Sequence, residues 1–313
     1  MANMVTVRLF GKLEIARDRQ VIYEIPGGKT QELLCYLLLH HRRTHARETL
    51  TALLWADGEP SKSRKYLRQV LWQLQLALSG CITGRARHPL LVDANSVRLD
   101  WSGPLEIDVE TFQRAHQQAG PKGAPIDAAQ ARALERAVAL YRGDLLEGSY
   151  QDWCLQERSR LQHCCFGMLT KLARYCVEQG EFQRGVEYCE RILQQDPAHE
   201  QGHQQLMTLH FQGGDRTSAL RQYERCKAAL RGELGVEPSR QTRELYERMR
   251  DPAEAPAVQP AIATAGDSPD AVQHLHRLLD FVTQVEAQIK REIRLAERAV
   301  PDLTRRLMTS GQR

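Results

Sequence analysis

Marks of a secreted, metal-bound or membrane-spanning chain are largely missing from this sequence of 313 residues. Its eight cysteines (Cys35, Cys81, Cys154, Cys164, Cys165, Cys176, Cys189, Cys226) include no C-x-x-C pair, which excludes zinc-finger ligand spacing and a thioredoxin-like redox pair. Several fall at apolar positions of helical patterns, where a free thiol acts as a small buried hydrophobe. The longest apolar run, around Leu33 to Leu39, is interrupted by Cys35 and Tyr36 and is far shorter than the roughly 20 residues that span a bilayer. No basic segment followed by an apolar one opens the chain, so no secretory signal is expected. These absences point to a reduced, cytoplasmic protein with no membrane partner. Catalytic signatures are missing as well: there is no G-x-x-x-x-G-K-[ST] phosphate loop, no H-E-x-x-H and no G-x-S-x-G. His40, His41 and His45 lie close together but lack acidic or Cys partners at ligand spacing. The expectation is therefore no enzyme, no catalytic residue, no metal and no cofactor.

What is present is an ordinary globular composition, 42% hydrophobic and 26% charged, with an unequal charge distribution. The net charge of +4 hides three segments: +6 over residues 1–100, -5 over 101–280 and +3 over 281–313. A basic head on an acidic body fits a nucleic-acid-binding module carried by a protein-interaction module.

In the head, the alternation of Met4 to Phe10, Leu13–Ile15 and Val21–Ile25 predicts strands of a small antiparallel sheet, closed by Pro26-Gly27-Gly28. The period then becomes helical. Thr30 is the expected N-cap of a helix through His40, with Leu33, Leu34, Leu37 and Leu38 on one face. A second helix is expected from Arg47 to Trp55, with Leu50, Leu53 and Leu54 inward, and a third from a Ser61 cap to Gly80. At 100° per residue the third helix buries Leu67, Val70, Leu71, Leu74 and Leu78 and turns Lys62, Lys65, Arg68, Gln69, Trp72 and Gln73 the other way. Guanidinium, ammonium and amide groups are those that reach phosphates and base edges. Trp72 is expected to pack against the sheet or wing. Leu90–Asp93 and Val97–Asp100 bracket Ala94-Asn95-Ser96 as a hairpin, after a loop carrying Arg85, Arg87 and His88.

Strands, three helices and a closing hairpin form the layout of a winged helix. Ile25-Pro-Gly-Gly-Lys-Thr-Gln-Glu-Leu-Leu-Cys-Tyr-Leu-Leu-Leu39, Arg47-Glu-Thr-Leu50, Leu54-Trp55 and Leu76-Ala-Leu-Ser-Gly80 together resemble the OmpR-type winged helix of the SARP group of bacterial transcriptional regulators. That resemblance implies a four-stranded sheet ahead of the helices, a third helix in the DNA major groove and a wing on the neighbouring minor groove or backbone. By position it places Lys62, Arg64, Lys65, Arg68, Gln69 and Gln73 toward DNA, Asn95 and Arg98 on the wing, and Lys29 near the backbone. Leu74-Gln75 departs from the Leu-Arg pair common in the family, leaving one backbone contact neutral or missing.

The body, helical from about Asp108, has a break at Gly120–Pro125 and an internal repeat. Leu172, Gly180, Gly185 and Cys189 recur 34 residues later as Leu206, Gly214, Ala219 and Tyr223, the tetratricopeptide period. Small residues at a helix crossing allow close approach, and further helices on both sides must complete the stack. Tyr141-Arg-Gly-Asp-Leu-Leu-Glu-Gly148, Trp153, Arg158–Leu161, Asp196-Pro197, Glu200, Met207, Ala219–Tyr223 and Leu230–Pro238 resemble the bacterial transcriptional activator domain that follows the winged helix in SARP proteins. This resemblance implies contacts to a partner protomer and to RNA polymerase, and a small-molecule effector in the repeats.

Residues 251–269 are rich in Ala and Pro and read as a linker. Beyond it Leu275, Leu278, Val282, Val285, Ile289 and Ile293 recur at three- and four-residue steps, the spacing of a coiled coil or a docked helix. The expected organisation is mainly α: a winged helix-turn-helix of α+β class (1–103), a tetratricopeptide-like all-α solenoid (107–249), a linker (250–269) and a C-terminal helix (270–313). The expected function is a sequence-specific regulator that binds double-stranded DNA at repeated half-sites as a homodimer, an activator in touch with RNA polymerase. A second reading, a repeat scaffold whose winged helix binds protein, has the retained Lys62, Lys65 and Arg68 against it.

Overall fold

The computed structural model describes residues 4–251 except 18–19, 22–24, 42, 57, 80–87, 102–103 and 122; the expected linker and C-terminal helix lie outside the described residues. Strand β1 (Val5–Arg8) turns Val5 and Val7 inward and pairs antiparallel with β2 (Glu14–Arg17), Val7 opposite Ile15. Gly11, at φ 86°, permits the turn between them. β3 (Gln20–Val21) extends the sheet. Helix α1 (Lys29–Leu39), strand β4 (Thr44–Ala46), helices α2 (Arg47–Leu54) and α3 (Pro60–Ser79), and the hairpin of β5 (Leu90–Val92) and β6 (Ser96–Leu99) follow in the layout of a winged helix.

Two sheet features differ from expectation. The fourth strand of the first sheet, β7 (Leu105–Ile107), comes from behind the hairpin and lies parallel to β1, giving the order β3-β2-β1-β7. Parallel neighbours need a long crossover, and here the whole three-helix unit serves as one. The wing also has a third strand, because β4 pairs with β6. Neither expected cap is used. Gly28, at φ 70°, occupies the N-cap of α1, and Thr30 is buried inside the helix, where its hydroxyl donates to Gln73 Oε1 at 2.8 Å. α3 starts at Pro60, whose missing N–H would be unpaired in any first turn.

The body comprises α4 (Asp108–Gln118), α5 (Ala128–Leu140), α6 (Asp152–Gln179), α7 (Phe182–Gln195), α8 (Glu200–Gln212), α9 (Arg216–Leu234) and α10 (Arg240–Arg250). Asp127 and Gln130 form a capping box on α5. The Gly120–Pro125 break is held by Lys171 of α6, whose ammonium donates to the carbonyls of Ala119, Gly120 and Pro121 at 2.6–3.1 Å. The repeat has a direct steric basis: a Cβ on Gly185 would stand 2.5 Å from Leu209 Cδ2 and 3.2 Å from Cys176 Cβ. Gly185→Val should therefore push α7 off α8 and cost about 1–3 kcal/mol, read by urea unfolding. An unchanged midpoint would show that the crossing has room to spare.

The head and body share one hydrophobic cluster, running from Val5 and Leu9 through Leu74 to Phe112, Leu145 and Leu169. Phe10 packs on Phe112 and Tyr141, with ring centroids 5.1 and 4.8 Å apart. Backbone bonds run alongside: Gly11 N–H to Asp144 O, Leu146 N–H to Leu9 O and Glu147 N–H to Gly11 O, all at 2.8–2.9 Å. The buried carboxylate of Asp108 accepts from the N–H groups of Leu9, Phe10 and Val109. The Arg158 guanidinium donates to the carbonyls of Leu145 and Leu146.

Desolvation holds four histidines of this unit, His40, His45, His116 and His203, below their usual pKa. A lowered folded pKa favours the neutral imidazole, so the stability it contributes is present above the unfolded value of about 6.5 and lost as pH falls through the folded values. Urea midpoints should thus fall between pH 7 and pH 5. A flat profile would contradict the burial of these rings.

Candidate nucleic-acid interface

α3 is 20 residues long, carries no acidic residue and has Lys62, Arg64, Lys65 and Arg68 in its first half. Leu67, Val70, Leu71, Leu74 and Leu78 anchor its inner stripe, which fixes the direction of the outer one. Along the outer stripe Lys65, Arg68 and Gln69 are exposed, and among the described residues Lys65 and Arg68 have no ion-pair partner. Lys62 is exposed too but pairs with Glu59 at 2.8 Å, and that pairing, with a hydrogen bond from Ser61, holds the Glu59 carboxyl below its ordinary range. An exposed pair of this kind contributes little, so Lys62 can exchange Glu59 for a phosphate at small cost. Arg64 is exposed on the flank of the stripe, its Nε directed to Pro60 O at 3.3 Å.

Gln73 is half-buried, and the bond from Thr30 commits its side-chain oxygen to the start of α1, leaving only its NH2 group to donate outward. Lys29, at the first turn of α1, pairs with Glu32 at 2.9 Å and lines a groove of about 500 Å³ with Trp55, Tyr150 and Trp153. Asn95 is exposed at the hairpin tip, where its carbonyl accepts from Arg47 N–H at 3.0 Å. Arg98 is exposed on β6 and lies 3.5 Å from Asp100. The α3 residues thus form one face, the wing residues a second, and Lys29 lies at a third place beside the body.

Arg47 has a contact that the sequence does not announce, and Trp72 departs from its expected packing. Arg47 opens α2 and reaches the wing, its guanidinium donating to Asp93 O at 3.2 Å; the only signal was a basic residue at the first position of that helix. Trp72, expected to pack, is 62% exposed, with Leu76 one turn further on at 63%. Helical periodicity places Trp72 outward, and the structure keeps it there without packing it on the sheet or wing. Among the described residues no cluster of His, Cys, Asp and Glu could hold a metal ion, and no helix is long and apolar enough to cross a membrane. All seven described cysteines are free thiols, six of them buried.

Residues 107–250 match the family described as the bacterial transcriptional activator domain. The transcriptional regulatory protein MoaR1 of Mycobacterium tuberculosis is 26% identical over 252 residues, covering 79% of this chain and 80% of its own length. The regulatory protein DnrI of Streptomyces peucetius is 27% identical over 194 residues, 59% of this chain and 70% of its own. The regulatory protein AfsR of Streptomyces coelicolor is 26% identical over 251 residues, which is 78% of this chain but 24% of that protein. Among solved structures, Mycobacterium tuberculosis EmbR in complex with a low affinity phosphopeptide superposes with a TM-score of 0.65 at 21% identity, over 79% of this chain and 65% of that one, a likeness of fold.

Proposed function

The chain belongs to the SARP-type transcriptional regulators, and from that premise we propose that it binds specific double-stranded DNA through α3 and the wing. The observation that carries this reading is the acid-free outer stripe of α3, where Lys65 and Arg68, with no ion-pair partner among the described residues, stand beside Gln69. In this reading α3 enters the major groove, Lys62, Arg64, Lys65, Arg68, Gln69 and Gln73 face DNA, and Asn95 and Arg98 touch the adjacent minor groove or backbone. In this reading residues 1–103 serve as the DNA-binding domain and 107–249 as the activator domain. A homodimer occupies repeated half-sites, the repeats contact RNA polymerase, and an effector, where there is one, is a small molecule held by the repeats.

Binding to sequences selected from random duplex DNA tests the reading. If about six phosphates are neutralised per protomer, log K should fall with log[salt] at a slope near -5. Lys29→Ala should weaken all sequences alike and flatten that slope by about 1. Binding with neither sequence preference nor salt dependence would sink the proposal.

A further inference from the structure

We propose that Trp72 reads thymine: its indole packs against the C5-methyl group of a thymine in the major groove, beside a base contacted by Gln69. This inference rests on the DNA-binding reading of α3 and adds to it the chemistry of the base selected.

Of the four tryptophans, Trp55, Trp101 and Trp153 are half-buried against the core, whereas Trp72 stands 62% exposed. It is not stranded at a loop tip. Lys65, Gln69, Trp72 and Leu76 follow at steps of four, three and four, which puts them on one line along the outer face of α3. The line is cationic at its start, carries an amide in the middle and becomes apolar at Trp72 and Leu76. Its continuity with the exposed cations Lys65 and Arg68 assigns the apolar part to the same occupant as the charged part. Phosphates and guanine edges satisfy the cations, and an adenine edge satisfies the amide. The one apolar group that the major groove offers is the thymine methyl. An amide that pairs with adenine N6 and N7 and an indole one turn along therefore select neighbouring A·T pairs, the adenine read by Gln69 and a thymine by Trp72.

The test uses the full chain and the duplex it selects from random DNA. Each thymine of a half-site is replaced singly by deoxyuridine, which removes the methyl group and leaves base pairing intact. The parent protein should lose about fourfold in affinity at one or two positions, the effect of exposing one methyl-sized group. Trp72→Ala should bind the parent duplex more weakly and be indifferent to uracil at those positions. Trp72→Phe should keep part of the sensitivity. As Trp72 is exposed, the melting temperature should be unchanged in both variants. If the parent selects a sequence yet tolerates uracil everywhere, or if Trp72→Ala keeps the same uracil sensitivity, the proposal is overturned and the Trp72–Leu76 patch belongs to a protein contact. If no sequence is selected at all, the DNA-binding reading itself falls, an outcome distinct from the loss of methyl sensitivity alone.

Discussion

Asp108→Ala should lower the unfolding free energy by roughly 4 kcal/mol, measured by urea denaturation at pH 7, because it strips one acceptor from three buried N–H groups. Leu9 and Phe10 are buried where the first sheet meets the body, so their N–H groups would be left without the acceptor that Asp108 supplies. Burial pushes the Asp108 carboxyl above its usual range, against the downward pull of the three N–H donors and Arg8. Asp108→Asn should lose less, roughly 2 kcal/mol, since one oxygen remains while the new NH2 group faces a donor. The same joint contains Leu146, which takes φ 51° without being glycine and is held there by its own N–H to Leu9 and by Arg158 on its carbonyl. A left-handed non-glycine residue persists where its surroundings over-determine it. Asp108→Ala should thus release head and body together, visible as one cooperative transition at lower urea. Two separate transitions, or a loss under 1 kcal/mol, would show that the shared hydrophobic cluster alone joins them.

That joint was the least legible part of the fold. The three head helices, the hairpin and the 34-residue repeat were readable because each is set by local periodicity: apolar residues at helical spacing, alternation in the strands, small residues at fixed offsets. Asp108 gave no such signal. Its role depends on Leu9 and Phe10, 98 or 99 residues away, and an acid in the first turn of a helix is ordinarily taken to serve that turn alone. The parallel pairing of β7 with β1 was hidden for the same reason, and β4, at three residues, is too short to show alternation. Tyr141 to Gly148 stood out as a motif without a stated role; in the structure it is the strip that meets Leu9–Gly11.

On the candidate interface, periodicity gave the outer stripe of α3 but not the engagement of its members. Glu59 precedes the helix and pairs with Lys62, and Thr30 reaches Gln73 across 43 positions, so neither tie follows from a helical wheel. Thr30 illustrates the ambiguity of a short polar side chain near a helix start. It can cap its own helix or bond to a neighbour, and the choice fell to Gly28, whose φ of 70° starts the helix without a side-chain cap.

These ties decide which substitutions should matter most for binding. Lys62 and Gln73 each begin from an existing partner, so each gains less from DNA than its position suggests, whereas Arg68 has no ion pair among the described residues and Gln69 is exposed. Arg68→Ala with Gln69→Ala should therefore weaken binding to the selected duplex by on the order of 100-fold, within the range of one to two lost base contacts at about 1–3 kcal/mol each. It should also narrow the gap between selected and random DNA, because base contacts are lost from the selected complex only. Lys62→Ala should cost less than tenfold and act on both alike. Competition binding at one fixed salt concentration separates the two patterns. If the double variant weakens random and selected DNA by the same factor, Arg68 and Gln69 serve the phosphate backbone, and the reading of bases must come from elsewhere on α3 or from the wing.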